Sequence, residues 1–227
     1  MSIRAATTGL RRPARAAAAD AQRTREVILD TAERLFASRG VDGVAVRDLA
    51  SEMGMTAPSL YNHFISKQAL YDAVLERGLR PIVDLVSEAW HPSGLRRELV
   101  RNTLERLLNH LARHPNLAPL LQRALLEDSD TIKVLLARWA GPLYREGLAI
   151  IRHNADDAGW NADELPYLVI GLFGMIFAYF TNLAAVSAIT ATTSDPLSPS
   201  ALATQRQFLE KAIYRLLGSQ LAVPDRS

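Results

Sequence analysis

The sequence predicts an all-α chain in two unequal parts, three short helices at the front and a larger set of long helices behind them. Three observations predict it. Apolar residues recur with a helical period along almost every stretch of the chain. No alternating run of six residues rich in β-branched types competes with that period, so no sheet is expected. Near residues 66 to 70 the short periodic stretches give way to long ones. With 227 residues, 48% of them hydrophobic and 22% charged, the chain can bury a sizeable core and is too apolar to be disordered.

Residues 1–22 read as a disordered basic arm. They are rich in Ala and Arg, carry Asp20 as their one acidic residue and contain no long apolar run, so they are no secretory signal. Net charge is only +2, and the basic excess is gathered here, in RRPARAAAADAQRTR, a composition that organelle transit peptides share. In TREVILDTAERLFASRG, Ile28, Ala32, Leu35 and Phe36 line one helix face, and Gly40 stands where a left-handed C-cap belongs. VRDLASEMG is a short helix ending at Gly54, and APSLYNHF is another, capped by Thr56. Ser66 caps the long stretch KQALYDAVLERGLRPIVDLVSEAW, in which Gly78 and Pro81 mark a point of bending. Five more helical stretches follow: LRRELVRNTLERLLNHLARH, LAPLLQRALLED, TIKVLLARWAGPLYREGLAIIRHNADDAG, ADELPYLVIGLFGMIFAYFTNLAAVSAIT and SALATQRQFLEKAIYRLLG. The loop TATTSDPLSPS separates the last two. About nine helices are expected, in domains spanning 23–68 and 69–220.

Ala50 and Gly54, four residues apart among Leu49, Met53, Met55 and Leu60, make a helix-turn-helix pattern. The small residue lets the second helix cross closely, and the glycine allows the sharp turn. In that geometry the second helix enters the major groove of DNA with its N-terminal residues at the base edges. Its composition suits the task. Pro58 is tolerated because first-turn N–H groups have no intrahelical partner. Thr56, Ala57 and Ser59 keep that end slim, and Tyr61, Asn62 and His63 carry groups that reach phosphates. Lys67 begins the next helix, where backbone N–H groups and the helix dipole also favour a phosphate.

Residues 24 to 78 resemble the DNA-binding domain of the tetracycline-repressor (TetR) family of bacterial regulators. ILDTAERLFASRG, VRDLASEMGM, PSLYNHF and SKQAL carry the resemblance, in that order, over about a quarter of the chain. It implies that Pro58, Ser59, Tyr61, His63 and Lys67 occupy DNA-contacting positions, as does Arg47 on the preceding helix. One position departs from the family pattern. A Ser or Thr often opens that preceding helix and touches a phosphate, whereas Ala45 and Val46 stand here. The resemblance further implies a cytoplasmic, ligand-responsive repressor that leaves a pseudo-palindromic double-stranded operator when a small molecule binds.

Residues 165–190 carry no charge over 26 positions, the length of a membrane span. The preceding flank is acidic and no basic cluster follows, so a helix buried on all sides, and no membrane, is expected. Gly171, Gly174 and Ala178 would admit another helix closely. In the last helix Phe208, Leu209, Ala212, Ile213, Leu216 and Leu217 form an apolar stripe. Two such helices from each of two subunits make a four-helix bundle, and the resemblance implies the same homodimer. The expected interface is Gly174, Ala178, Phe208, Leu209, Ala212, Ile213 and Leu216. A dimer is also a physical need, since one short recognition helix reads too few bases for gene-level specificity. The resemblance also implies an effector pocket in the second domain. Trp90, Trp139, Tyr144, Phe173, Phe177 and Phe180 supply apolar walls, with His110 and Asn182 as polar anchors, a lining suited to a lipophilic effector such as an acyl chain or aromatic compound.

Other classes fit less well. The chain has no Cys, which removes disulfides, thiolate metal sites and Cys nucleophiles and is compatible with a reducing compartment. His110 and His114 have a metal-ligand spacing, but no H-E-x-x-H accompanies them and Pro115 ends the helix, so no metal is expected. There is no G-x-S-x-G, G-x-G-x-x-G or phosphate loop, so no cofactor and no catalytic residues are expected. The competing readings are a helical enzyme or small-molecule-binding protein without DNA binding, and a helical membrane protein.

Overall fold

The computed structural model describes residues 14–89, 97–127, 130–153, 159–161, 163–190 and 195–217. Among the described residues there are ten helices and no strand: α1 (Ala14–Arg39), α2 (Val46–Glu52), α3 (Ala57–Tyr61), α4 (Lys67–Ala89), α5 (Arg97–Arg113), α6 (Leu117–Leu126), α7 (Asp130–His153), α8 (Leu165–Thr181), α9 (Leu183–Thr190) and α10 (Pro199–Leu217).

Two boundaries differ from expectation. α1 begins at Ala14, so residues 14–22, expected within a disordered arm, form its first turns. Four consecutive alanines, 16–19, have the highest helix propensity and account for this. The apolar run expected as one helix is two, α8 and α9, meeting at an 80° bend. Side chains at the junction compete for the backbone there. Thr181 Oγ1 donates to the Phe177 carbonyl at 3.2 Å, and the Asn182 amide donates to the Ala178 carbonyl at 2.9 Å. Among the described residues no single helix is long and apolar enough to cross a membrane.

One core runs through both parts. The periodic face of α1, Ile28, Ala32, Leu35 and Phe36, is buried together with Leu49, Leu60, Leu70 and Leu75, and continues into Leu107, Leu111, Leu117, Leu121 and Leu209. Phe36 and Tyr71 meet edge to face with ring centroids 5.5 Å apart. α1 packs on α4 and also on α6, so the front domain touches the rear one through more than the connecting helix.

Two glycines serve these close approaches. Gly40 caps α1 with φ 72°, and a Cβ there would come 2.7 Å from Arg123 Nη1 of α6. Gly78 lies within α4, which runs unbroken past Pro81 to Ala89. A Cβ at Gly78 would lie 2.1 Å from Cδ1 of Leu117, itself fully buried. The glycine marked as a point of bending is therefore where α6 presses on α4.

An ionic cluster closes the junction. Arg77 on α4 donates from Nη1 to Asp30 at 2.7 Å and to Glu26 at 3.3 Å, and from Nη2 to Glu33 at 2.8 Å, all on α1. Glu33 is 4% exposed. His114, just past the end of α5, brings Nδ1 to 4.0 Å from the same carboxylate. The Asp30 and Glu33 bonds outweigh the effect of burial and hold the Arg77 guanidinium above its ordinary value.

Candidate nucleic-acid interface

α2 and α3 are held from beneath. Leu49, Ala50 and Leu60 are buried, and Gly54 takes φ 64° in the turn between the two helices. The Met55 N–H donates to the Ala50 carbonyl at 2.9 Å, which closes α2 as the chain reverses. Ala50, 2% exposed, leaves room for the crossing, as its small size predicts. α2 lacks a hydroxyl cap. The Asp48 carboxylate accepts from the Ala45 N–H at 3.3 Å instead, half of a capping box.

α3 is capped as expected. Thr56 has extended backbone, and its Oγ1 accepts from the Ser59 N–H at 3.4 Å. The Thr56 and Ser59 hydroxyls lie 3.0 Å apart. Pro58 is exposed in the first turn, and Ala57 and Ser59 are half-buried. Tyr61 is 48% exposed and Asn62 is exposed, so neither is a core residue. α3 thus turns Leu60 inward and presents Pro58, Tyr61 and Asn62 outward.

The edges of this face are fixed by longer-range contacts. His63 is half-buried, and its carbonyl accepts from the Arg25 guanidinium at 3.4 Å. Arg25 also lies 4.3 Å over the ring of Phe64, a cation–π contact that ties α1 to the end of α3. Lys67 donates from Nζ to the Val41 carbonyl at 2.9 Å and to the Val44 carbonyl at 3.2 Å. Two of its three N–H donors therefore hold the α1–α2 loop, and one is left for an outside acceptor. Ser66 caps α4 as expected, its Oγ accepting from the Ala69 N–H at 3.0 Å. Arg47 is exposed on α2. Sequence reasoning missed Ile65, which is 88% exposed in the turn between α3 and α4. Its signal was an apolar residue beside Phe64 that no helical period absorbs.

The second domain sorts the remaining residues. Gly174, Ala178 and Phe208 are exposed, and Ala212, Ile213 and Leu216 are half-buried. Leu209 is the exception, since it is 0% exposed within the single chain and cannot face a partner. α10 packs on α5 and on α8, and Leu209 is the stripe residue buried in the core. Tyr214 makes the same contact, donating its hydroxyl to the Arg97 carbonyl at 3.0 Å.

Of the residues expected at a pocket, Phe177 is buried and Phe173 is half-buried, stacked on it at 4.0 Å. Tyr144 is half-buried. Trp90 lies outside the described residues, as does the side chain of Trp139. Two polar anchors are placed elsewhere. Asn182 is exposed, with its amide spent on the Ala178 carbonyl and Thr181 Oγ1. His110 lies at the domain junction, its Nε2 3.4 Å from the Gly78 carbonyl and its ring 4.9 Å from that of His114. Burial, with the nearby His114, holds the His110 imidazole below its ordinary value, against the pull of the Gly78 carbonyl. Among the described residues no group of three His, Asp or Glu is gathered for a metal ion.

Comparison with known proteins agrees with this geometry. Residues 28–74 match the family described as bacterial regulatory proteins, tetR family. The repressor KstR2 of Rhodococcus jostii is 45% identical over 51 residues, 22% of this chain and 25% of that protein. The class D tetracycline repressor protein of Escherichia coli is 41% identical over 54 residues, 24% of this chain and 25% of that protein. The matched stretch thus spans a quarter of these relatives' own length. Likeness over the whole fold comes from structures. The TetR-family regulator PfmR of Thermus thermophilus superposes with a TM-score of 0.58 at 19% identity, covering 84% of this chain and 98% of that one. Residues 28–74 are therefore similar to the N-terminal domain of the tetR family of bacterial regulatory proteins, in a chain whose fold is shared with solved structures along most of its length.

Proposed function

We propose that the chain is a homodimeric DNA-binding transcriptional regulator, a repressor that leaves a pseudo-palindromic operator when a small lipophilic effector binds its second domain. The observation that carries this is α3, a helix capped by Thr56 and buried only through Leu60, with Pro58, Tyr61 and Asn62 on its outer face. A five-residue helix with that outer face gains little by packing, whereas slim, hydrogen-bonding side chains at its N-terminus suit base edges and phosphates. The protein acts by binding rather than by catalysis, in the cytoplasm where bacterial DNA lies. The repressor reading draws on the names of KstR2 and the tetracycline repressor.

An open apolar face supports the dimer. Tyr167, Ile170, Gly171, Gly174 and Ala178 are exposed along α8, and Phe208 is 53% exposed on α10. A Cβ built at Gly171 or Gly174 meets nothing within 4 Å, so a second subunit's helix fits closely there. The stacked Phe173 and Phe177 supply an apolar wall for the effector.

The test is a mobility shift on the DNA upstream of the protein's own gene, competed with mixed-sequence duplex. Retention against a large excess of competitor is expected. Equal competition by both duplexes would remove operator recognition from the account.

A further inference from the structure

We propose that His110 and His114 form a proton-sensing contact at the junction of the two domains, through which acidification weakens operator binding. The proposal rests on the regulator reading above and gives it a second input, separate from the effector. Both histidines lie outside the matched family region, residues 28–74.

Place is the first observation. Three helices meet at the pair. His110, near the end of α5, has Nε2 3.4 Å from the carbonyl of buried Gly78 on α4. A carbonyl only accepts, so Nε2 carries the hydrogen and Nδ1 is the atom left to take up a proton. One turn on, the His114 ring lies 4.9 Å from that of His110, and its Nδ1 lies 4.0 Å from Glu33 of α1. Both histidines are half-buried.

Charge is the second. Burial, then His114, Arg113 of the same helix and Arg77 of α4, all oppose a charge on the His110 imidazole. The anion against the pair is Glu33 of α1, and Arg77 already holds it at 2.8 Å while also binding Asp30 and Glu26. α6 meets Gly78 with the apolar Leu117, and α10 reaches the far end of α5, where Tyr214 bonds the Arg97 carbonyl. A proton at His110 Nδ1 therefore sets a cation beside two arginines in a half-buried space. A charged His114 would repel it further and compete with Arg77 for Glu33. Acid thus loosens the packing of α4 against α1 and α5.

Connection is the third. α1 and α4 are the helices that hold α3. α1 binds the His63 carbonyl and the Phe64 ring through Arg25, and α4 begins just after α3, at Lys67, which clamps the α1–α2 loop. A closed junction keeps α3 in one attitude towards the rear domain. A loosened one does not, and apparent affinity falls with the fraction of molecules that hold it. Proton uptake and operator binding then lower each other by the same factor. The general effect of acid has the opposite sign, because a chain gaining positive charge, at His63 among other places, attracts phosphates more strongly. Weakening on acidification is therefore a signature of the junction.

The experiment measures affinity for two labelled duplexes, the upstream region and a mixed sequence of equal length, at fixed salt from about pH 8 to about pH 5.5. Far-UV circular dichroism of the free protein and ring-proton NMR of its histidines are recorded at the same pH values. Affinity for the upstream region is expected to fall below about pH 6.5, by up to about tenfold per pH unit for one coupled proton, with helicity unchanged and His110 titrating over the same range. His110→Gln, whose amide can still donate to the Gly78 carbonyl, should match the unaltered chain at about pH 8 and lose the fall. His114→Gln should move the fall to higher pH, because a neighbouring positive charge is gone. The NMR titration and His114→Gln leave His110 in place, so a folding defect in His110→Gln leaves the test intact. Affinity that does not fall, a fall that persists in folded His110→Gln, or a fall that only follows loss of helicity would overturn the proposal while the regulator reading stood. Failure of the unaltered chain to prefer the upstream region at about pH 8 would instead overturn the regulator reading, and the proton input with it.

Discussion

Arg77 carries much of the connection between the two parts of the molecule. Its guanidinium meets three carboxylates of α1, of which Glu33 is the buried one. Arg77→Met would leave that carboxylate enclosed without its main partner, a loss of about 3–5 kcal/mol. Urea unfolding of the variant should show this, and Glu33→Gln made in the same chain should recover a large part. Lys67 clamps the α1–α2 loop, which its place at the start of α4 did not disclose, beside the phosphate contact proposed for it. Lys67→Ala is expected to lower the salt slope of DNA binding by about 1, the change that one phosphate partner accounts for. It should also lower stability, because the Val41 and Val44 carbonyls lose their donor. A lower slope with unchanged stability would contradict the loop-clamp role. His110 gives a pH dependence. Its folded-state value lies below its ordinary one, so below about pH 6.5 the unfolded chain binds more protons than the folded one. The stability His110 contributes is present above that pH and is lost as pH falls towards the folded-state value. Tm should drop between about pH 7 and about pH 5.5, and His110→Gln should flatten that drop.

Among the elements, Gly78 shows how packing decides what local rules leave open. Beside Pro81 it resembled a hinge, yet α4 continues through both, and Leu117 fills the space a side chain would take. Gly78→Ala should therefore destabilise by about 1–3 kcal/mol as an overpacked site does. Leu117→Ala should be less harmful in that background than alone, which a double-mutant cycle measures. The helices of the front domain were legible because each carries its own signals: the α1 stripe ending at Gly40, the Thr56 and Ser66 caps, and the Ala50–Gly54 pair. The rear domain was less so. The break at Asn182 depends on side-chain bonds to the Phe177 and Ala178 carbonyls, which an uncharged apolar run conceals. Leu209 and Phe208 are neighbours in one apolar stripe, and the tertiary packing of α10 on α5 and α8 decides that one is core and the other surface. Ile65 was missed because exposure of an apolar residue in a turn has no periodic signature.

At the scale of the whole molecule, the proposed function joins the open faces of α8 and α10, as the dimer contact, to the outward face of α3. Phe208→Asp should give a soluble monomer, because the residue is exposed in the single chain and its partner surface alone is lost. Sedimentation would show the halved mass, and operator affinity should fall because one protomer reads a single half-site. The central claim, that paired α3 helices read one operator, is tested most directly by footprinting the upstream DNA with the unaltered protein and with Tyr61→Ala. Two protected major-groove patches about 34–36 Å apart, occupied by two protomers and weakened together by Tyr61→Ala, are the predicted result. Protection that follows no sequence, or a footprint indifferent to Tyr61→Ala in a folded dimer, would contradict it.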